Sequence, residues 1–288
     1  GATTETVFRI PNINAGGSYT FTFDAIVEDV RDRGDAALLE YTERFDGVRP
    51  QEIRVPRSEI DRAHGSLSPE LEESFGVAIE NVRAFHEKEM DRSWERSHAG
   101  ATTGQRVRPI RRAGLYIPGG HAAYPSTLVM SAVPAQVAGV KEIRICTPPG
   151  PDGLPAHNVL AVAGLLGLEQ VYAVGGAQAI AALAYGTQSV AAVDKVVGPG
   201  NDYVTAAKLE VFGIVGIDAP QGPSEVLVIA DAGAVPERVA TDLMAFYFQS
   251  AEANDLAAGT ATTASGPSSW TARASIMGRP RRRSGRRC

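Results

Sequence analysis

Apolar residues follow two periods along the chain. Over 23–45, Ile26, Val30, Ala37, Leu38 and Tyr41 recur at helical spacing, and Gly34 with Asp35 marks a break between two helices. A further helical stretch is predicted over 69–90. Between Thr102 and Arg112 the pattern thins into basic and polar residues, among them Arg106, Arg108 and Arg111, and reads as extended chain. Beyond it, short apolar runs alternate with alanine-rich stretches of helical period. The runs predict strands over 114–118, 142–147, 170–174 and 195–197, and helices starting near Pro125 or Ser126 and covering 156–166, 177–184 and 202–212. Pro134 falls inside the first of these helices and is expected to kink it. A last apolar strand closes at Asp231, and Pro236 opens a helix to Met244.

Four of these strands run into turns rich in glycine or proline: Tyr116-Ile-Pro-Gly-Gly120, Cys146-Thr-Pro-Pro-Gly150, Val174-Gly-Gly-Ala-Gln178 and Val197-Gly-Pro-Gly-Asn201. They recur about every 25 to 30 residues, the length of one βαβ step. Parallel strands built this way end on one edge of the sheet, where α/β folds bind ligands and helix N-termini suit phosphate or carboxylate. Gly175-Gly-Ala-Gln178 is not the G-x-G-x-x-G fingerprint, and Asp194 begins a strand rather than ending one, so it sits in the wrong place for a ribose-binding carboxylate. Close strand–helix packing without a ligand accounts for the same glycines. Asn201 stands where it can cap its helix or turn to a ligand. Tyr116 can face the crevice or the core. Ser224 and Glu225 place a hydroxyl beside a carboxylate, able to hold a small polar substrate, but no histidine lies nearby to make Ser224 a nucleophile.

Charge and residue supply narrow the classes. A net charge of −5 over 288 residues gives no electrostatic case for nucleic acid, since arginine clusters only near the carboxyl end. Cys146 and Cys288 are too few and too far apart for a disulfide framework. His64, His86, His98, His121 and His157 show no metal-binding spacing, and only His121 follows one of the Gly-Gly turns. No run approaches the roughly 18 to 20 apolar residues of a spanning helix, and residues 1–9 do not read as a signal peptide. A cytoplasmic protein without membrane or nucleic-acid partners is expected. After Ala245 the periodicity stops: an aromatic triplet, Phe246 to Phe248, leads into Ala, Thr, Gly and Ser and then an Arg-rich end, so 246–288 is expected to be disordered.

Several segments together carry a family resemblance: Gly34-Asp-Ala-Ala-Leu-Leu-Glu-Tyr-Thr-Glu-Arg-Phe-Asp-Gly47, Gly114-Leu-Tyr-Ile-Pro-Gly-Gly120, Met130-Ser-Ala-Val-Pro-Ala-Gln-Val-Ala-Gly139, Gly175-Gly-Ala-Gln-Ala-Ile-Ala-Ala182, Gly198-Pro-Gly-Asn201 and Gly222-Pro-Ser-Glu-Val-Leu-Val-Ile-Ala-Asp231. In this order, over about 7–244, the series resembles histidinol dehydrogenase. The resemblance implies an α/β protein with two Rossmann-like open sheets of mostly parallel strands. An NAD-binding domain, 115–224, would be inserted into a first domain made of 1–114 and 225–245. It implies the NAD- and zinc-dependent oxidation of L-histidinol through the aldehyde to L-histidine, in a homodimer. Tyr116, Gln178 and Asn201 would contact NAD, and Ser224 the substrate.

The pattern departs past Met244. The family's zinc-binding Gln and His positions fall on Phe246 and Gln249, and its Glu-His acid–base pair finds no counterpart, so the chain alone is expected to lack zinc and activity. An out-of-frame reading of a GC-rich gene would produce such a tail. Resequencing the codons for 243–248 is then expected to reveal Gln-Ala-Glu-His in another frame, and its absence refutes the frameshift. Two other readings stay open: a related zinc-dependent dehydrogenase of another small diol, and a non-catalytic NAD-binding remnant.

Overall fold

The computed structural model describes residues 23–119, 123–220, 227–230, 233–241, 262–263 and 270–273. The amino-terminal apolar stretch forms α1 (Phe23–Arg33) and α2 (Asp35–Asp46), parted at Gly34, whose φ of 59° is left-handed. α2 stops where Gly47 turns left-handed and its N–H reaches the Glu43 carbonyl at 3.1 Å. α3 (Arg57–Gly65) has no counterpart among the sequence-based expectations. α4 (Pro69–Glu89) starts as its residues dictate, with the Ser68 hydroxyl accepting from the Leu71 N–H and proline at the first position.

The stretch expected to be merely extended holds the second strand of a hairpin, β1 (Trp94–His98) with β2 (Ala101–Gln105). Its turn, Ala99-Gly100, has positive φ at both residues, the geometry that matches the twist of a two-residue hairpin.

A parallel five-stranded sheet follows: β3 (Arg112–Tyr116), β4 (Glu142–Thr147), β5 (Val171–Ala173), β6 (Lys195–Val197) and β7 (Gly216–Ile217), in the order β5-β4-β3-β6-β7. The connections are α5 (Pro125–Val137), α6 (His157–Leu165), α7 (Gly176–Tyr185) and α8 (Asp202–Glu210). α5 continues through Pro134 and ends three residues later. This is the α/β architecture expected from the alternating apolar runs.

Side chains alternate across the strands and fill two cores. Leu115, Ile145 and Val171 meet α3, α5 and α6 on one face; Tyr116, Cys146 and Tyr172 meet α1, α2, α7 and α8 on the other. The amino-terminal helices therefore pack on this sheet. The reason is coverage: a parallel sheet must bury both faces, and its own crossover helices leave room that α1 and α3 fill. Gly164 lets α3 come close to α6, since a Cβ there would lie 2.7 Å from the His64 Cβ. The segment 53–55 also lies antiparallel along β5, with the Val55 N–H on the Val171 carbonyl at 2.8 Å and the Ala173 N–H on the Ile53 carbonyl at 2.7 Å, so that edge is paired.

The compact unit holding this sheet ends at Gly222, and a second begins at Pro223. In the second, β8 (Leu227–Ala230), β9 (Thr262–Thr263) and β10 (Trp270–Arg273) form an antiparallel sheet in the order β8-β10-β9, and 236–241 is helical. Mostly parallel pairing was expected of a second sheet; the described strands pair antiparallel. β9 and β10 fall within 246–288, the stretch expected to be disordered. Among the described residues no helix is long and apolar enough to cross a membrane.

Candidate functional site at the carboxyl edge of the parallel sheet

The strand order contains one reversal. From β3 the chain steps outward to β4 and β5, then returns to the other side of β3 as β6. The segments leaving β3 and β6 therefore diverge, and such a switch point opens a crevice at the carboxyl ends. Tyr116 ends β3 and Gly198 follows β6. Gly198 has a φ of 129°, and a Cβ on it would lie 2.1 Å from the Tyr116 carbonyl oxygen. Only glycine permits the two strand ends to approach this closely.

Tyr116 takes the core position of its two sequence readings, with its hydroxyl engaged by a turn. Its ring is buried in the core between the sheet and α7, and its hydroxyl accepts from the Gly176 N–H at 3.1 Å. Burial pushes the phenol up to about 12, with the Gly176 N–H opposing, so at neutral pH it keeps its proton and can still donate. The Gly175-Gly176 turn that meets it is packed on Pro148. A Cβ on Gly175 would stand 2.6 Å from the Pro148 Cβ, and one on Gly119 would stand 2.5 Å from the Pro148 Cγ. Three of the predicted turns are thus drawn together around one proline.

Gln178 sits in the first turn of α7, one per cent exposed, and among the described residues neither its Oε1 nor its Nε2 has a hydrogen-bond partner. A buried amide left so costs roughly 1–3 kcal/mol. Its carbonyl oxygen lies beside Gly176, where a Cβ would be 2.6 Å away. The main-chain N–H groups of the same first turn have no partner within the helix. Among the described residues the Gln178 amide therefore adds a donor and an acceptor without a use, beside the Gly176 N–H that Tyr116 takes up.

Asn201 caps α8: its Oδ1 accepts from the Tyr203 and Val204 N–H groups, both at 3.1 Å. The oxygen is committed by those two donors, and the NH₂ group is what Asn201 can offer a ligand. Two residues that the sequence reading missed hold this turn. The Lys208 ammonium, one per cent exposed, donates to the Gly198 carbonyl at 3.0 Å, to the Ala219 carbonyl at 2.9 Å and to the Asp218 carboxylate. Asp218 in turn accepts from the Gly198 N–H at 2.9 Å. A signal existed: Val204, Ala207, Lys208 and Val211 fall at one-face helical spacing, which puts the lysine on the apolar side.

Ser224, Glu225, His121, Phe246 and Gln249 lie outside the described residues. Among the described residues no three His, Cys, Asp or Glu side chains come close enough to hold a metal ion. Cys146 is buried and reduced, and burial pushes its thiol far above the usual range, leaving it an inert core residue.

The sequence model describing histidinol dehydrogenase matches residues 14–266. The chain belongs to the histidinol dehydrogenase family. The family match continues beyond Met244, where the series of readable motifs ends. Histidinol dehydrogenase of Geobacillus kaustophilus is 52% identical over 220 residues, covering 76% of this chain and 52% of that protein. Histidinol dehydrogenase of Cupriavidus pinatubonensis is 50% identical over 240 residues, covering 81% and 53%. The crystal structure of the histidinol dehydrogenase from Elizabethkingia anophelis superposes with a TM-score of 0.72 at 42% identity, over 78% of this chain and 52% of that one. The chain therefore spans about half the length of the histidinol dehydrogenases it matches.

Proposed function

We propose that the parallel sheet is the NAD-holding part of a histidinol dehydrogenase, an oxidoreductase of histidine biosynthesis that converts L-histidinol to L-histidine through the aldehyde. The observation that carries this reading is the buried amide of Gln178, unpartnered among the described residues, beside the Gly176–Tyr116 contact at the switch point. Buried polar groups are otherwise hydrogen-bonded, so an amide kept dry and unsatisfied fits a ligand that completes it.

When bound, NAD supplies the hydride acceptor for oxidising an alcohol. Toward it, Tyr116 would offer its O–H while its oxygen stays on the Gly176 N–H. Gln178 would offer one donor and one acceptor from the dry end of α7, and Asn201 its NH₂ group. Ser224 would meet the substrate. The assembly is a cytoplasmic homodimer with neither membrane nor nucleic acid as partner.

Zinc fits this chain poorly. Phe246, at one family ligand position, has no lone pair to give, and the amide of Gln249 replaces an imidazole at the other. Removing the proton from an alcohol needs a base within hydrogen-bond reach, and the aldehyde step needs an activated water. NAD titration and zinc-supplemented turnover of L-histidinol on one sample separate the two halves of the reading. Binding without NADH formation is the expected result. A steady rate of NADH formation overturns the claim of inactivity, and absence of NAD binding overturns the cradle.

A further inference from the structure

We propose that Lys208 and Asp218 are positioning residues that hold the Gly198–Asn201 turn in its ligand-binding geometry, an inference that rests on the NAD reading of this edge. The pair reaches one residue from both sides. Lys208, from α8, holds the Gly198 carbonyl; Asp218, from the chain just past β7, holds the Gly198 N–H; and the two are joined by their own ion pair. Every N–H of the ammonium is used, because Ala219 supplies the third acceptor, and each carboxylate oxygen has a donor. Gly198 is thus fixed at a φ of 129° by bonds from two separate elements, at the point where β3 and β6 part.

Stability alone is a weak reason for this arrangement. Dehydrating a lysine and an aspartate is costly, and well-packed apolar residues of similar volume often replace a buried pair with no loss. What apolar residues cannot do is grip the N–H and the C=O of a single glycine. A turn that must present Asn201 and its neighbouring backbone to a ligand in one orientation needs that grip, and a preorganised turn spares the ligand the cost of ordering it.

The test uses the full chain with two variants. Asp218→Asn keeps the shape but cannot offer two acceptors, so either the Gly198 N–H or Lys208 loses its partner. Lys208→Met with Asp218→Leu removes both charges together. Amide hydrogen exchange at Gly198, measured without NAD, is expected to quicken in the double variant, and NAD to bind about tenfold more weakly to both variants, the equivalent of one charge-assisted hydrogen bond. Ile60→Val, in the core on the opposite face of the sheet, serves as the comparator: it lowers the melting point but is expected to leave both readouts unchanged. Unchanged exchange at Gly198 in the double variant overturns the clamp, and so does unchanged NAD affinity in either folded variant. If the unaltered chain binds no NAD, the cradle reading falls, and with it the ligand-positioning role. The exchange measurement then reports only whether the pair holds the turn.

Discussion

Replacing Gly198 by alanine is expected to lower the melting temperature of the chain by on the order of 10 °C and to abolish NAD binding in what remains folded. Two separable penalties add. A φ of 129° is closed to residues with a Cβ, and such backbone strain costs roughly 1–3 kcal/mol. The new methyl group would also stand 2.1 Å from the Tyr116 carbonyl oxygen, a main-chain atom that cannot swing aside, and overpacking of this kind costs roughly another 1–3 kcal/mol. The combined loss is a large share of the roughly 5–15 kcal/mol that holds a domain together. Relief requires β3 and β6 to separate at their carboxyl ends, which pulls Gly198 from Lys208 and Asp218 and moves the Asn201 cap.

Gly213 supplies the control, because it too has a left-handed φ, 102°, but among the described residues a Cβ there meets nothing within 4 Å. Gly213→Ala therefore carries the conformational penalty alone and is expected to melt well above Gly198→Ala. Circular dichroism melts of the two proteins decide it. If they coincide, the contact with Tyr116 contributes nothing, and the close approach of the strands is not what requires glycine.

The parts of this fold that could be read in the sequence are those buried on both sides. β4 lies where Ile143, Ile145 and Cys146 place it, Glu142–Thr147, because its β-branched residues and the turn residues Pro148-Pro149-Gly150 that follow mark a strand even though Arg144 interrupts the apolar run. α7 and α8 were legible too, their alanines and valines facing the sheet. What escaped were elements whose stability comes from few or exposed contacts. α3 buries only Ile60 and Ala63 in nine residues, and its one local signal is Pro56 at the cap position. The β1–β2 hairpin is exposed along its whole length, so no alternation marked it, and only the Ala99-Gly100 turn hinted at it.

At the site, residue type was a good guide to position and a poor guide to partners. Asn201 could be read as a cap because asparagine before an aspartate and an apolar run has that local chemistry. The Tyr116–Gly176 contact could not be read, because 60 residues separate its ends and only the stacking of β3, β4 and β5 brings them together. Lys208 and Asp218 were hidden for a related reason. A lysine in a helix is usually solvated, and its burial here depends on acceptors at 198, 218 and 219 that converge only once β6 and β7 are paired.

Gln178→Met is expected to move stability and cofactor affinity in opposite directions. In the ligand-free chain the amide is buried and, among the described residues, unpartnered at both ends, and an unbranched apolar side chain of similar length removes that penalty without opening a cavity. A gain of roughly 1–3 kcal/mol follows, seen as a rise of several degrees in the melting temperature without ligand. The same change deletes the donor and acceptor offered to NAD, so affinity is expected to fall by about tenfold or more. The two effects meet in one experiment, because a ligand at a hundred times its dissociation constant stabilises the protein by about 2.7 kcal/mol. Without NAD the variant should melt above the unaltered chain; as NAD is added, the unaltered chain should catch up and the variant should respond far less. A variant that melts lower in the absence of NAD would mean that Gln178 has a partner within the protein. One that gains as much from NAD as the unaltered chain would remove Gln178 from the binding site.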